Sequence, residues 1–261
     1  MKPAETLQTS RFWPSLKDRY AASPSIAMCR VPELEFAAAL PLTGATLDHC
    51  CGDGLFASLA WPEARFSSGC DIDMRALAEC RTRGHHGSVD ECDAAQRLPY
   101  LDATFDLVFN NSALEHIPDL DAALREIARV TRPGGTFAFN VLNHRYFEWW
   151  PGDGASRDGY REWQPFFHAL ALDVWTERLR ATGLAVETVR GYFPRESAQE
   201  LALLDCEFSG AALRQRASKL VDEFRQMPGW RKWLWWRRLG RFPWTAEDDA
   251  GAGYFITAKR L

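Results

Sequence analysis

Two glycines, Gly52 and Gly54, share a tight loop with Asp53, while Asp48 precedes the loop and Asp71 follows it. Glycines there let a backbone approach a ligand closely, and an acid about twenty residues on can take ribose hydroxyls. The run Gly52-Asp53-Gly54-Leu55-Phe56-Ala57 also satisfies a loose G-x-G-x-x-A pattern, so a nicotinamide or flavin dinucleotide fits on glycines alone. The charges discriminate. Asp71, Asp73 and Asp93 are expected along the same edge as Asp48 and Asp53. A pyrophosphate about 4–6 Å from such a carboxylate would cost roughly 3–4 kcal/mol at an effective dielectric near 20. A ligand carrying an ammonium and a sulfonium would gain instead.

The elements that must position these residues follow from the pattern. Thr46-Leu47-Asp48 reads as a short strand, Leu55 to Trp61 as a helix, and Arg65 to Cys70 as a second strand ending on Asp71. Strand, glycine turn, helix, strand, acid is a unit that binds adenosine-containing cofactors at the carboxyl edge of a parallel sheet. Met74 to Arg83 reads as a helix stopped by Gly84. Gly87-Ser88-Val89 is a short strand, and Phe105 to Asn111 a β-branched and aromatic one. Asp121 is expected to cap a helix over Ala122 to Thr131. Arg132-Pro133-Gly134-Gly135 then turns into a strand over Thr136 to Val141. An amphipathic stretch, Ala169 to Thr182, ends at Gly183 before a strand over Leu184 to Val189, and Gly253 to Lys259 supplies a last strand.

Asp48-His49-Cys50-Cys51-Gly52-Asp53-Gly54 resembles motif I of class I methyltransferases, D-x-G-x-G-x-G, with Cys50 where the first glycine is usual. The later runs resemble the same family in order. Asp93-Ala94, with Asp90 as the competing acid, precedes an LPF-like Leu98-Pro99-Tyr100. Phe105-Asp106-Leu107-Val108 resembles the FD-x-V strand, Leu114 to Asp119 the E-H-[IV]-x-D segment, and Arg132 to Gly135 the R-P-G-G turn. The resemblance spans residues 45–145. It implies S-adenosylmethionine as cofactor and S-adenosylhomocysteine as product. It also implies cofactor contacts from Asp48, Cys50, Gly52, Gly54, Asp71, Ile72, Asp93, Ala94 and Asn110.

A net charge of −4 argues against general nucleic-acid affinity. At 46% hydrophobic and 25% charged the composition is that of a soluble globular chain, and no apolar run reaches the roughly 18 residues of a bilayer span. The first residues lack an apolar signal core, and seven cysteines read as free thiols in a reducing compartment, so the expected location is cytoplasmic. Without CxxC spacing, no metal site is expected.

Residues 1–43 read as helices capping the cofactor pocket or covering a sheet edge; in the first case Tyr20 and Arg30 touch ligand, Arg30 pairing a carboxylate. Residues 44–192 read as the cofactor-binding core, 193–250 as an inserted helical piece with Leu201 to Met227 helix-patterned, and 251–261 as the final strand. Trp230 to Arg241 carries four of the eleven tryptophans and five basic residues with no acid. It either packs the insert, stacks an anionic or sugar acceptor, or lies on a membrane as a peripheral contact.

Methyl transfer from a sulfonium is an in-line displacement governed by alignment, and a hydroxyl acceptor must also lose a proton. His116 is the first candidate base, with Glu115 to orient it; the competing reading is a structural pair at a helix start. His144, Tyr146, Tyr160 and His168 are secondary. The expected fold is α/β: a Rossmann-like, seven-stranded, mostly parallel sheet with helices on both faces and an antiparallel last strand, with amino-terminal cap helices and a helical insert before that strand. The expected function is methyl transfer to a hydroxyl or amine of a small molecule or glycan, including a lipid-linked one. The rivals are a dinucleotide-dependent oxidoreductase and a non-catalytic, cofactor-binding regulatory module.

Overall fold

The computed structural model describes residues 5–21, 23–209, 226–247 and 249–261. Seven strands form one sheet: β1 (Thr46–His49), β2 (Phe66–Asp71), β3 (His86–Glu91), β4 (Phe105–Asn111), β5 (Thr131–Leu142), β6 (Leu184–Tyr192) and β7 (Gly253–Arg260). Their order is β3-β2-β1-β4-β5-β7-β6. The first five pair in parallel and β7 runs antiparallel. The expected fold is the one observed.

The central strands show why. All four residues of β1 are buried, as are Leu107, Val108, Phe109 and Asn110 of β4. A strand covered on both faces is commonly a continuous apolar run, as Leu107, Val108 and Phe109 are in β4. β1 departs from that: three of its four residues are polar, and each is paired, Thr46 Oγ1 accepting from the Ser67 amide, Asp48 meeting His86 and His49 meeting Asn110. The chain order reverses between β1 and β4. That reversal opens a crevice at the carboxyl ends of the strands, where open parallel sheets bind ligands.

The helices of the core are α3 (Leu55–Ala60), α4 (Met74–Arg83), α5 (Leu120–Val130) and α8 (Leu172–Ala181). Asp73 caps α4, accepting from the Arg75 and Ala76 amides, and Gly84 ends it at φ 71°. In α5, Leu120, Ala123, Leu124, Ile127 and Val130 are buried at three- and four-residue spacing, one helical stripe. Each large member contributes roughly 1.5–3 kcal/mol by leaving water. Asp119, not Asp121, caps α5: its side chain accepts from the Ala122 amide, so the helix starts two residues earlier than expected. Asp121 instead pairs with Arg178 of α8 at 2.7 Å. The Arg132-Pro133-Gly134-Gly135 run does not stand apart as a turn. It lies within β5, across a register shift between Phe105 and Leu107 of its partner β4.

The chain divides into two compact units. One holds Phe36–Leu142, Phe167–Arg190 and Tyr254–Leu261, and so the sheet's carboxyl edge. The other gathers Met1–Glu35, Asn143–Phe166 and Gly191–Gly253. In that second unit lie α1 (Trp13–Arg19), most of α2 (Pro24–Ala37), α6 (His144–Glu148), α7 (Gly154–Trp163), α9 (Arg195–Ser209) and α10 (Gly229–Leu239). Within it the Trp13 and Trp236 rings meet edge to face at 5.5 Å, and the Leu7 amide donates to the Phe242 carbonyl. The helical pattern over Leu201 to Met227 is met by α9 as far as Ser209; residues 210–225 lie outside those described.

Candidate active site

The loop leaving β1 takes three left-handed residues in alternation: Cys50 at φ 60°, Gly52 at 53° and Gly54 at 72°. The backbone therefore needs a glycine-like conformation at the position where the family pattern has its first glycine. Cys50 adopts it at a cost of roughly 1–2 kcal/mol for an L-residue. Its neighbours hold the loop in place. The Cys51 amide donates to the Cys70 carbonyl at 3.0 Å, and the Gly52 amide to Asp71 Oδ2 at 2.8 Å. Another non-glycine residue with positive φ, Ser112 at 47°, directly follows β4 on the same edge. Strained backbone of this kind collects where a ligand is gripped.

The acids flanking the loop divide their work. Asp48 is turned away from the crevice: it is buried, and its Oδ2 lies 2.9 Å from His86 Nε2 on β3. Burial raises the Asp48 carboxyl above its usual range, against the pull of His86. Asp53 is held from outside by Arg83, whose guanidinium reaches both its carboxylate and its carbonyl at 2.9 and 2.8 Å. Asp71 remains at the edge. Its two oxygens accept from the Gly52 and Asp73 amides, and a carboxylate has about four lone-pair sites, so capacity for two hydroxyls is left. Beyond it, Ile72 is 66% exposed, an aliphatic side chain held out in solvent. Asp93 is also exposed, and its Oδ1 accepts from the Ala95 amide, while Ala94 is buried. The competing acid, Asp90, receives the Tyr100 hydroxyl at 3.1 Å and is engaged inside the fold.

At the base of the crevice, Asn110 Nδ2 donates to the carbonyl and to Nδ1 of His49, both at 3.0 Å. Burial lowers the His49 pKa to about 4, so the ring is neutral. With Nδ1 accepting, the proton sits on Nε2. Asn110 Oδ1 and His49 Nε2 are both buried without a hydrogen-bond partner. A buried acceptor left open costs roughly 1–3 kcal/mol, which a bound ammonium would recover.

Glu115 and His116 lie in a single 3-10 turn, Leu114–His116, after β4. Glu115 is 1% exposed and His116 is half-buried, so His116 is the more accessible member of the pair. The Glu115 carbonyl accepts from the Phe167 and His168 amides, fixing this turn to the segment that follows α7. His168 Nε2 is 3.2 Å from the Pro118 carbonyl.

The remaining sequence-derived residues fall in the other unit. Tyr20 closes α1, half-buried, and Arg30 on α2 forms an ion pair with Glu33. Tyr146 and Tyr160 both donate to Asp205 Oδ2, at 2.8 and 2.9 Å, and His144 lies 3.9 Å from Glu148. A cavity of about 500 Å³ with Arg132, Glu187, Arg190 and Lys259 in its walls lies at the amino ends of the parallel strands, away from the loop chemistry. Its size does not make it the site, because none of the edge residues lines it. The contribution of His49 was missed in the sequence; its place beside the motif acid was the available signal.

Residues 47–139 match the methyltransferase domain family. A probable S-adenosylmethionine-dependent methyltransferase of Mycolicibacterium smegmatis is 30% identical over 179 residues, covering 68% of this chain and 65% of that protein. The malonyl-[acyl-carrier protein] O-methyltransferase of Salmonella typhimurium is 29% identical over 150 residues, 50% of this chain and 58% of that protein. The chain thus spans less than two thirds of the length of these curated relatives. Among solved structures, an S-adenosylmethionine-dependent methyltransferase of Thermotoga maritima, a possible histamine N-methyltransferase, superposes with a TM-score of 0.59 at 15% identity. That match covers 96% of this chain and 98% of that one, a likeness of fold.

Proposed function

Because the chain belongs to the class I S-adenosylmethionine-dependent methyltransferases, we propose that it moves a methyl group to an oxygen of a small-molecule acceptor, with His116 as the base. The observation that carries the cofactor half is the loop of Cys50, Gly52 and Gly54, clamped to Asp71 below an open Asn110 oxygen. Asp71 takes the ribose hydroxyls, Ile72 covers the adenine ring, and Asp93 with the Ala94 amide reads its edge. Asn110 Oδ1 accepts from the ammonium. The bound cofactor supplies a methyl on a positively charged sulfur, which needs no further activation. What the protein adds is alignment and, for a hydroxyl, removal of the proton.

An imidazole is suited to that removal near neutral pH, and His116 sits just past β4, next to the edge. The Salmonella relative is named as an O-methyltransferase, in keeping with an oxygen acceptor. A saccharide or lipid-linked acceptor is favoured by α10. Trp230 and Trp233 are 65% and 58% exposed there, alongside exposed Arg231, Arg237 and Arg238. Exposed rings flanked by cations stack sugars and also sit at the headgroup level of anionic membranes. Trp236, by contrast, is buried, so the segment is divided between packing and display. No helix among the described residues is long and apolar enough to cross a membrane.

Calorimetric titration with S-adenosylmethionine, S-adenosylhomocysteine and NADH tests the cofactor assignment. Micromolar binding of the first two with none of the third supports it; NADH binding alone turns the reading to the oxidoreductase. Acceptor screening then begins with saccharides and lipid-linked sugars, and sedimentation with anionic vesicles separates acceptor stacking from membrane contact.

A further inference from the structure

Behind the cofactor loop lies a cluster that the methyl-transfer chemistry does not use. Cys51 follows Cys50 in the loop, Cys80 is on the inner face of α4, and His86 opens β3. Cys51 is 29 residues from Cys80, Cys80 is six from His86, and all three are buried. Cys51 Sγ and Cys80 Sγ are 3.9 Å apart, and Cys80 Sγ is 3.2 Å from His86 Nδ1. All three ligand atoms lie within 4.8 Å of one another. A tetrahedral zinc with bonds of about 2.3 Å to sulfur and about 2.0–2.1 Å to nitrogen has edges of about 3.8 Å between sulfurs and about 3.5 Å from sulfur to nitrogen. The two edges that meet at Cys80, 3.9 and 3.2 Å, are within a few tenths of an ångström of those values, and the third is no longer than 4.8 Å.

Two further observations point the same way. His86 gives its other nitrogen, Nε2, to Asp48 Oδ2 at 2.9 Å, which leaves the Nδ1 lone pair facing the thiols. A carboxylate on the far nitrogen is how metal-binding imidazoles are commonly oriented and made more basic. Glycines also clear the space on both sides. A Cβ at Gly54 would stand 2.9 Å from Cys80 Sγ, and one at Gly69 would stand 2.7 Å from the His86 ring and 3.1 Å from Cys51 Sγ. Two thiols and an imidazole are a donor set that favours zinc over the hard, oxygen-seeking cations.

We propose that Cys51, Cys80 and His86 form a structural zinc site, oriented by Asp48, that pins the loop after β1 to α4 and β3. On binding, both thiols release their protons to solvent as the two sulfur–metal bonds form, and His86 keeps its Nε2 proton on Asp48. A water or other small ligand takes the fourth position. Cys50 and Gly52 flank Cys51, so the metal would hold the cofactor loop from behind without touching the cofactor.

The test is metal analysis of the full chain, purified reduced from zinc-supplemented cells. About one zinc per chain that survives dialysis is expected, together with a lower melting temperature after chelation. Cobalt added to the stripped protein should show thiolate charge-transfer bands and the intense visible absorption of a tetrahedral site. Cys80→Ser should lower retained zinc by at least about tenfold, while Cys29→Ser, a thiol outside the cluster, keeps it. Wild-type protein that retains no zinc and gives no cobalt bands overturns the proposal, whatever the variants do. Zinc retained in full by a folded Cys80→Ser protein overturns it equally.

Discussion

The Gly52 amide donates to Asp71 Oδ2 at 2.8 Å, fastening the loop after β1 to the end of β2 before any ligand arrives. Under the proposed function the same carboxylate would have two duties, shaping the loop and meeting the ribose. Asp71→Ala should weaken S-adenosylmethionine binding by about 1–3 kcal/mol, a five- to roughly 150-fold rise in Kd, and also lower the melting temperature. Asp71→Asn keeps an acceptor for only one of the two amides, Gly52 or Asp73, and should lose affinity with a smaller loss of stability than Asp71→Ala. Unchanged affinity in both, by calorimetry, removes Asp71 from the site.

Cys50 holds a left-handed conformation that costs roughly 1–2 kcal/mol in an L-residue, whereas glycine adds about 0.5–1 kcal/mol of chain entropy. Cys50→Gly should therefore be neutral or up to about 1 kcal/mol more stable in urea unfolding. Cys50→Val, β-branched at positive φ, should be clearly less stable. A glycine variant less stable by more than about 1 kcal/mol would show that the thiol makes contacts outweighing the strain.

His116→Ala should lower kcat by about 10²- to 10⁴-fold with a hydroxyl acceptor and leave cofactor affinity within about twofold. Glu115→Ala removes a carboxyl that is 1% exposed, so its effect should include a loss of stability that His116→Ala does not show. If kcat survives in His116→Ala, the base lies elsewhere, or the acceptor is an amine that arrives neutral.

Burial raises the Asp205 pKa, opposed by hydroxyls from Tyr146 and Tyr160. A carboxyl whose folded pKa lies above its unfolded value contributes stability below the unfolded value and loses it as pH rises through the folded one. The wild type should therefore lose stability relative to Asp205→Asn from about pH 4 upward, until the folded carboxyl is fully ionised. Asparagine Oδ1 can still accept from the tyrosines. Urea midpoints of the two proteins measured across that range check the sign; a difference that does not change with pH contradicts a raised Asp205.

The alternation of apolar runs, glycine turns and helical stripes was legible before any coordinates. β1, β2, β4, β7, α4 and the glycine stop at Gly84 lie within a residue or two of where local pattern sets them, because burial on both sheet faces and φ above zero are demands on single residues and near neighbours. Caps were less legible. Asp119 and Asp121 are equally good oxygen-bearing caps by type, and the choice fell to Asp119 because Arg178 of a distant helix engages Asp121.

Charge direction was not legible at all. The sequence by itself determined that carboxylates crowd the loop after β1, and hence that a cationic cofactor suits it better than a pyrophosphate. Only the tertiary structure decided which of them are engaged by other side chains and which is left at the edge. Asp48 is turned onto His86 and Asp53 onto Arg83, residues about thirty to forty positions away, and Asp71 is left at the edge. The same holds for Cys51, Cys80 and His86. Cys80 and His86 are six residues apart across the turn from α4 to β3, but spacing carries no trace of Cys51 joining them, because the crossover that brings the loop after β1 against α4 leaves no fixed interval between ligands.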